Sequence, residues 1–133
     1  MNFLIAERNY LPQESIINLD NNPTDRNNPG RIQVDENSFI LPPKDIYHSC
    51  DPNAYIDWNT MKLKALKAIK KGSAITYHYG TSEYDYAVGE FDCICGNLNC
   101  LKQFRGYKYL SFRQREQIKS YLSPYLKSQD KLR

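Results

Sequence analysis

The chain has 133 residues, which is enough for one compact domain and too few for two independent hydrophobic cores. Hydrophobic residues make up 41% of the sequence and charged residues 25%, so global disorder is excluded. The net charge of +3 is too small to argue for a nucleic-acid partner, and none is expected. The longest apolar runs, such as Phe3 to Ala6, are far shorter than a membrane span requires.

The composition of the N-terminal residues predicts no secretory signal. No basic segment followed by a longer apolar stretch is present at the start of the sequence. The sequence therefore predicts no association with a membrane and a location in the reducing cytoplasm, where cysteines stay as thiols or bind metals.

Short strands are predicted along the first 60 residues. Residues 1–19 contain two apolar runs and predict two strands, and residues 20–30 concentrate Asn, Asp, Pro and Gly and predict a loop. Residues 31–34 and 38–41 predict two further strands joined by a turn at 35–37. Pro42 and Pro43 end the second strand because proline cannot donate a hydrogen bond to a sheet.

The segment Met61–Ile69 is compatible with two structures. Leu63, Leu66 and Ile69 recur at every third position, as on a basic amphipathic helix, while residues 62–65 alternate as in a strand. The neighbouring segments 54–58 and 74–79 are rich in β-branched and aromatic residues, which favours strands on both sides. A β-meander is the preferred interpretation.

One helix is predicted at the C-terminus, from about Phe112 to Ser123. Ser111 and Gln114 have the spacing of a capping box, and apolar residues from Ile118 onward repeat at helical spacing. Pro124 is expected to stop this helix.

The four cysteines fall in two places, with Cys50 upstream and Cys93, Cys95 and Cys100 close together. In a cytoplasmic protein such clustering favours a metal over disulfides, and Zn²⁺ prefers four thiolates in a tetrahedron. The sequence therefore predicts one structural zinc ion that closes a long loop. Ordinary thiols, or a disulfide pair, are the alternatives.

Two further segments combine unusual residues, namely residues 47–53 with the sequence YHSCDPN and residues 75–80 with ITYHYG. Taken singly, the first is a tight polar turn and the second a strand that ends at Gly80. Together with the cysteine segment, they resemble the SET-domain protein lysine methyltransferases that carry a post-SET zinc loop. The likeness is strongest to the short stand-alone proteins of bacteria and viruses and covers residues 47–107.

The resemblance implies a mainly β (β-rich α+β) fold of small curved sheets, in which the segments around His48 and Tyr79 cross in a knot-like arrangement. It further implies a SET-like core over residues 1–92, a zinc loop over 93–107, and a C-terminal helix and tail over 108–133. S-adenosylmethionine and a target lysine on a protein or peptide would enter from opposite sides. Cys50 lies where the family supplies its fourth zinc ligand.

The resemblance also implies roles for individual residues. Tyr79 would orient the amine and the methyl group, and the Tyr77 hydroxyl would hold a water and limit the product to mono- or dimethyllysine. The expected cofactor-binding residues are Tyr47, His48, Asn53, Phe91 and Leu101.

Two positions depart from the family pattern. Tyr47 stands where the family carries an Asn that touches the methionine portion of the cofactor, and residues 1–6 lack the family's Gly-x-Gly. Two hypotheses follow: an active methyltransferase with compensating contacts, or a degenerate SET module that binds a peptide or a partner. A homodimer is a further possibility, because the domain is small and its C-terminal helix is rich in tyrosine.

Overall fold

The computed structural model describes residues 3–19, 22–86, 91–93 and 100–131. Short strands dominate this part of the chain, and two short α-helices follow them near the C-terminus. The first strands are β1 (Ser15–Asn18), β2 (Pro23–Thr24), β3 (Ile32–Asp35), β4 (Ser38–Ile40) and β5 (Tyr47–His48). The later elements are β6 (Ala54–Asp57), β7 (Lys62–Ala65), β8 (Thr76–Tyr77), β9 (Phe91–Asp92), β10 (Gln103–Phe104), α1 (Phe112–Ile118) and α2 (Pro124–Lys131).

The described strands form four small sheets. Two have three strands, in the orders β1-β7-β6 and β2-β4-β3, and two have two strands, β10-β9 and β5-β8. All pairings are antiparallel except that of β5 with β8. This architecture confirms the prediction of a β-rich, SET-type fold.

Within the ambiguous segment Met61–Ile69, residues Lys62–Ala65 form a strand, as preferred, and Ile69 makes an isolated bridge with Tyr10; the segment is not a helix. In β7 the residues Leu63 and Ala65 are fully buried, while Lys62 and Lys64, which alternate with them, are half-buried. Register with β6 places Ile56 opposite Leu63 and Ala54 opposite Ala65, so both strands turn their apolar side chains to one face. Side chains that alternate in this way bury one face of the sheet, which a helix over the same residues could not do against β6.

The parallel pair of β5 and β8 determines where the two segments around His48 and Tyr79 meet in space. Tyr47 lies opposite Thr76 and His48 opposite Tyr77, and the Ser49 amide continues the ladder by donating to the Tyr77 carbonyl over 3.2 Å. The turn after Cys50 and the residues after Tyr77 therefore leave the pair side by side.

Two predictions about the N-terminal half need correction. The first apolar run, predicted as a strand, makes only isolated bridges from Phe3 to Asp45 and from Ile5 to Ala74. Its hydrogen bonds alternate between two different neighbours, so no ladder develops. The predicted loop 20–30 contains β2, because Pro23 lies on a sheet edge opposite Ile40, where its missing donor costs nothing. Residues 20 and 21 of that loop lie outside the described residues.

The prediction of one helix from Phe112 to Ser123 is wrong in its C-terminal part. The capping box of Ser111 and Gln114 is present, but α1 ends at Ile118 and a single 3₁₀ turn follows. Pro124 does not stop a helix; it begins α2. Proline disfavours helical backbone in the residue before it and is well suited to the first helical position. The Ser123 hydroxyl accepts the Leu126 amide at 3.1 Å and so caps this second helix.

The helices pack around a small apolar cluster of their own, separate from the sheet core. Tyr107, Ile118, Leu122 and Leu126 are its buried members. The Trp58 indole ties the cluster to the β6-β7 turn by donating to the Tyr121 carbonyl at 2.9 Å. Neither described helix has the length and apolar character to cross a membrane.

Candidate active site and metal centre

Tyr79 is held from two directions by the segment that carries β5. It follows β8 and begins a 3₁₀ turn, and its backbone amide donates to His48 Nδ1 at 3.0 Å. Its hydroxyl donates to the Ile46 carbonyl at 2.5 Å. Burial raises the pKa of the Tyr79 hydroxyl far above its usual value, so the hydroxyl stays protonated at physiological pH.

A cavity of about 250 Å³ lies beside Tyr79. Its walls combine aromatic rings with a carboxylate and a turn of the chain. The lining residues include Phe3, Gly30, Asp45, Ile46, Tyr77 and Tyr79. The tyrosine predicted to be catalytic therefore lines a cavity large enough to accept part of a ligand.

Tyr77, the second predicted catalytic residue, lines the same cavity but is itself only 2% exposed. Its hydroxyl lies 3.2 Å from the Ser82 hydroxyl, and its ring centroid lies 5.0 Å from that of Tyr79. Burial raises the pKa of Tyr77 well above its usual value. Its role in limiting methylation stays a prediction.

The two departures from the family pattern pack on each other. The rings of Phe3 and Tyr47 are stacked, with centroids 3.7 Å apart and planes 10° from parallel. Tyr47 keeps 41% of its surface exposed. A ring stacked in this way cannot make the amide contact that the family's Asn supplies, so any cofactor contact at Tyr47 would be made by a different group. Residues 1 and 2 lie outside the described residues.

His48 connects Tyr79 to the cysteines through its two ring nitrogens. Because Nδ1 accepts the Tyr79 amide, the neutral ring carries its proton on Nε2, which lies 3.4 Å from Cys50 Sγ. Burial, with a smaller contribution from His78, lowers the pKa of His48 to about 3. The ring is therefore neutral and serves as a bridge between the tyrosine and the thiol.

Asn53, another predicted cofactor residue, braces the turn after Cys50 against β8. Its side-chain amide donates to the Ala74 carbonyl at 2.9 Å, and its side-chain oxygen accepts the Thr76 amide at 2.8 Å. These contacts fix the spacing of the two segments that hold Tyr79. They support the prediction that Asn53 shapes the turn.

Three of the four predicted metal ligands come together. The sulfur atoms of Cys50, Cys93 and Cys100 all lie within 4.8 Å of one another. Cys50 Sγ and Cys93 Sγ are 3.7 Å apart, much longer than a disulfide bond and close to the separation of about 3.8 Å for two thiolates on a tetrahedral Zn²⁺. Cys95 lies outside the described residues. The cluster is thus a possible metal site.

Backbone amides surround this cluster in the manner of a thiolate site. The Leu101 amide donates to Cys50 Sγ at 3.3 Å, and the Lys102 amide donates to Cys100 Sγ at 3.4 Å. Lys102 adopts a positive φ of 68°, which turns the chain around the sulfurs. Donors of this kind stabilise negatively charged sulfur, so the local backbone fits a bound cation. Leu101 contributes through its backbone, and its predicted adenine contact stays a prediction.

His78 is a site residue that sequence reasoning missed. Its Nδ1 accepts the Gly80 amide at 2.9 Å and caps the turn that carries Tyr79, and burial lowers its pKa to about 4. His48, Cys50 and His78 also place ligand atoms within 4.8 Å of one another. The only signal in the sequence was its position between the two tyrosines.

Phe104 is a second residue that sequence reasoning missed. It is fully buried, and its ring contacts those of His48 and Tyr79, with centroids 5.4 Å and 5.9 Å away. It lies in β10, opposite Phe91 in the register with β9. The strand that follows the last cysteine thus reaches Tyr79, while the predicted adenine contact of Phe91 stays a prediction.

A buried ion pair joins Arg31 and Glu83, which are 52 residues apart in sequence. The Glu83 carboxylate also accepts the Gln33 amide at 2.8 Å and the Ser82 hydroxyl at 2.7 Å. Burial raises the pKa of Glu83, and the Arg31 charge opposes that shift. Nothing in the local sequence predicts this pair, because its members come from distant segments.

Comparison with known proteins gives one match. Residues 4–80, more than half of the chain, match the family model of the SET domain. No curated protein matches the chain significantly. The matched region contains the turn of Cys50, the β5-β8 pair and Tyr79, and a SET domain indicates a methyltransferase-type function in general. The chain belongs to the SET-domain family.

Proposed function

We propose that the protein is an S-adenosylmethionine-dependent protein lysine N-methyltransferase. One observation carries the proposal: the half-buried Tyr79, whose hydroxyl is hydrogen-bonded to the Ile46 carbonyl, lines a cavity that other aromatic rings also line. Methyl transfer to an amine requires positioning more than acid–base chemistry, and a fixed hydroxyl beside a small cavity supplies it.

Tyr79 acts as an orienting group rather than a base. Its raised pKa keeps the proton on oxygen, and the hydrogen bond to Ile46 fixes the direction of the hydroxyl. The oxygen still has acceptor capacity for one N–H of a substrate amine. An amine held in this way presents its lone pair in a constant direction.

The cavity walls suit an amine substrate and its product. The rings of Phe3, Tyr77 and Tyr79 line the cavity. The same aromatic faces tolerate a methylated ammonium product. With its hydroxyl near Ser82, Tyr77 is the residue we assign to limiting the product to mono- or dimethyllysine.

Two groups would complete the site. S-adenosylmethionine supplies an electrophilic methyl group on a sulfonium sulfur. The residues predicted to bind it are Tyr47, His48, Asn53, Phe91 and Leu101. Zn²⁺ would be held by Cys50, Cys93 and Cys100, with Cys95 as the fourth ligand in a closed, structural site. Held in this way, residues 93–107 would keep Phe104 against His48 and Tyr79.

A labelling experiment tests the proposal. Lysate proteins are incubated with methyl-labelled S-adenosylmethionine and either the wild type or Tyr79→Phe, and labelled lysines are identified by mass spectrometry. The variant keeps the ring and loses the hydroxyl, so label should fall by about 100-fold or more while cofactor binding persists. Label that is unchanged by the substitution would reject the role of Tyr79.

A second function is favoured by the stacked pair of Phe3 and Tyr47, which replaces the family's glycines and asparagine. On that hypothesis the protein is a catalytically degenerate SET module that binds a peptide or a partner. Isothermal titration with S-adenosylmethionine discriminates the two. Absence of heat at millimolar cofactor, together with an unchanged unfolding temperature, would reject the enzyme and favour the binding module.

A further inference from the structure

The carboxylate of Asp45 is the unusual group in the cavity beside Tyr79. Asp45 is half-buried and lines the cavity together with Phe3, Tyr77 and Tyr79. Its Oδ1 lies against the Cα of Gly30, so closely that a Cβ at that position would overlap it. Within the described part of the chain, no hydrogen bond or ion pair reaches this carboxylate.

The position of Asp45 relative to the aromatic wall is fixed by the backbone. Phe3 and Asp45 form a parallel bridge, and the Leu4 amide donates to the Asp45 carbonyl at 2.8 Å. The Phe3 ring is in turn braced by its stacking on Tyr47. An aromatic face and a carboxylate are therefore held side by side on one wall, and Tyr79 lies on another.

This combination has a definite ligand preference. Partial burial of a carboxylate that has no partner costs solvation free energy. A cation that binds beside the carboxylate offsets this cost. Aromatic faces attract cations through their quadrupoles, most strongly where water is excluded. The negative charge of Asp45 already acts across the cavity, since it contributes to the raised pKa of Tyr79. Arg31 also lines the cavity, but its charge is paired with Glu83, so among the described lining residues the charge of Asp45 is the one left uncompensated, and it favours an organic cation.

We propose that Asp45, together with Phe3 and Tyr79, recognises the cationic group of a ligand that enters this cavity, an ammonium or a sulfonium. The inference builds on the proposed function and names Asp45 as a specificity-determining residue that the motifs did not reveal. It also gives the stacked pair a role, because Phe3, braced by Tyr47, becomes part of the recognition surface. Two sources can supply the cation: the cofactor, with its sulfonium and its α-ammonium group, and the side chain of the substrate lysine.

Calorimetric titration of Asp45→Asn against the wild type tests the inference, because the substitution keeps the shape and removes the charge. The probes are S-adenosylmethionine, S-adenosylhomocysteine, which lacks the sulfonium, and n-butylammonium, which mimics a lysine side chain. We expect affinity for at least one probe to fall about tenfold or more, the effect of removing one charge contact in a desolvated site.

The pattern of losses identifies the source of the cation. A larger loss for S-adenosylmethionine than for S-adenosylhomocysteine assigns Asp45 to the sulfonium, and equal losses assign it to the α-ammonium group. A loss confined to n-butylammonium assigns it to the lysine. The inference would be overturned if Asp45→Asn bound all three probes as tightly as the wild type does. It would also be overturned if the wild type bound none of them.

Two further variants separate a local effect from a general one. Gly30→Ala keeps the charge but forces the Asp45 carboxylate to move, and it should weaken the same probe. Glu116→Gln on α1 makes the same change in net charge at an exposed position and should leave all affinities unchanged. Thermal unfolding of each variant verifies that the fold is retained.

The inference and the proposed function fail in different ways. If the wild type binds n-butylammonium through Asp45 but does not bind S-adenosylmethionine, the cation site stands and the methyltransferase does not. If the wild type binds and uses S-adenosylmethionine while Asp45→Asn matches it in every titration, the methyltransferase stands and the cation site does not.

Discussion

Two contacts close long loops around Tyr79, and they are built on opposite principles. The Arg31–Glu83 pair joins segments 52 residues apart, and its side chains are 0% and 1% exposed. The cysteine cluster joins segments 43 residues apart and is only partly buried. The ion pair contains both charges that it needs, whereas the proposed metal site at the three converging cysteines would take its cation from outside the chain.

The comparison separates what the fold needs from what the site needs. A buried carboxylate with three donors is complete as soon as the chain folds, so this contact should hold in every solution condition that keeps Glu83 ionised. The cysteine cluster should tighten only when metal is present and should act on the residues it carries, including Phe104. Four predictions test this contrast.

The largest effect is expected from Glu83→Gln. The substitution keeps the size of the side chain but leaves the Arg31 charge buried without its counter-ion, and an amide hydrogen faces the donors that Glu83 now accepts. We expect the free energy of unfolding to fall by about 3 to 5 kcal/mol. Urea denaturation followed by circular dichroism measures it.

The matched control adds Arg31→Met to Glu83→Gln, which removes the orphaned charge and should recover part of the loss. The result should be the same with and without a chelator, because the pair does not depend on metal. If Glu83→Gln lowered the free energy of unfolding by less than about 1 kcal/mol, the ion pair would not be a major contact between the two distant segments.

Metal should stabilise the protein through the cysteine cluster. Zn²⁺ at 100 times its dissociation constant is expected to raise the free energy of unfolding by about 2.7 kcal/mol, since it binds the folded chain. Denaturation with and without a chelator, at known free Zn²⁺, measures the difference. The chelated protein should keep the β6-β7 sheet and lose near-ultraviolet signal from the rings around Phe104.

Cys50→Ser is the control for this prediction, because it removes the ligand that comes from the far segment. The variant should show no response of comparable size to Zn²⁺. If Zn²⁺ stabilised Cys50→Ser and the wild type equally, the metal would bind without joining the two distant segments. The contrast between the ion pair and the cysteine cluster would then be wrong.

Acid should weaken the turn that carries Tyr79, through His78. Burial lowers the pKa of His78 from its ordinary value of 6.5 to about 4. Between pH 4 and pH 6.5, therefore, His78 is mostly protonated in the unfolded chain and mostly neutral in the folded chain. Stability conferred by the neutral ring is thus lost as the pH falls. From pH 7 to pH 5 this residue alone should lower the free energy of unfolding by about 2 kcal/mol.

His78→Asn isolates this contribution, because the Asn side-chain oxygen can accept the Gly80 amide in place of Nδ1. The wild type should lose more stability than the variant between pH 7 and pH 5, with both measured in the presence of a chelator. Identical pH dependences would show that His78 is accessible to protons in the folded state.

The smallest effect is expected at α2. Ser123→Ala removes the hydroxyl that caps this helix and should lower the free energy of unfolding by about 1 kcal/mol. The loss should add to that of Glu83→Gln, because the substitution keeps the backbone hydrogen bond from the Ser123 amide to the Thr81 carbonyl, two residues from Glu83. A double variant whose loss differs from the sum by more than about 0.5 kcal/mol would show that the helices and the ion pair are coupled.

Much of the site could be predicted from the sequence because its signals are local. The alternation in residues 62–65 and the strands beside it predicted the meander, and the spacing of Ser111 and Gln114 predicted the capping box. The cysteine pattern predicted a cluster whose three described members do converge. In each case the energetics are set by neighbours within a few positions or by residue types with one dominant chemistry.

Other features depended on contacts between distant segments. Pro124 begins α2 rather than ending α1, because Leu122 and Leu126 pack in one cluster and the chain must turn between the two helices. Tyr47 and the N-terminal segment that contains Phe3 counted separately as departures from a pattern, and only the structure shows that the rings of Phe3 and Tyr47 stack on each other.

The sequence by itself determined the β-rich class, the SET family and the residue types that surround Tyr79. The tertiary structure decided which of them meet: Arg31 with Glu83, His48 with both Tyr79 and Cys50, and Asp45 with the aromatic wall. Local pattern encodes secondary structure because backbone preferences act over a few residues. Pairing across tens of residues is set by packing of the whole core, which no short window of sequence contains.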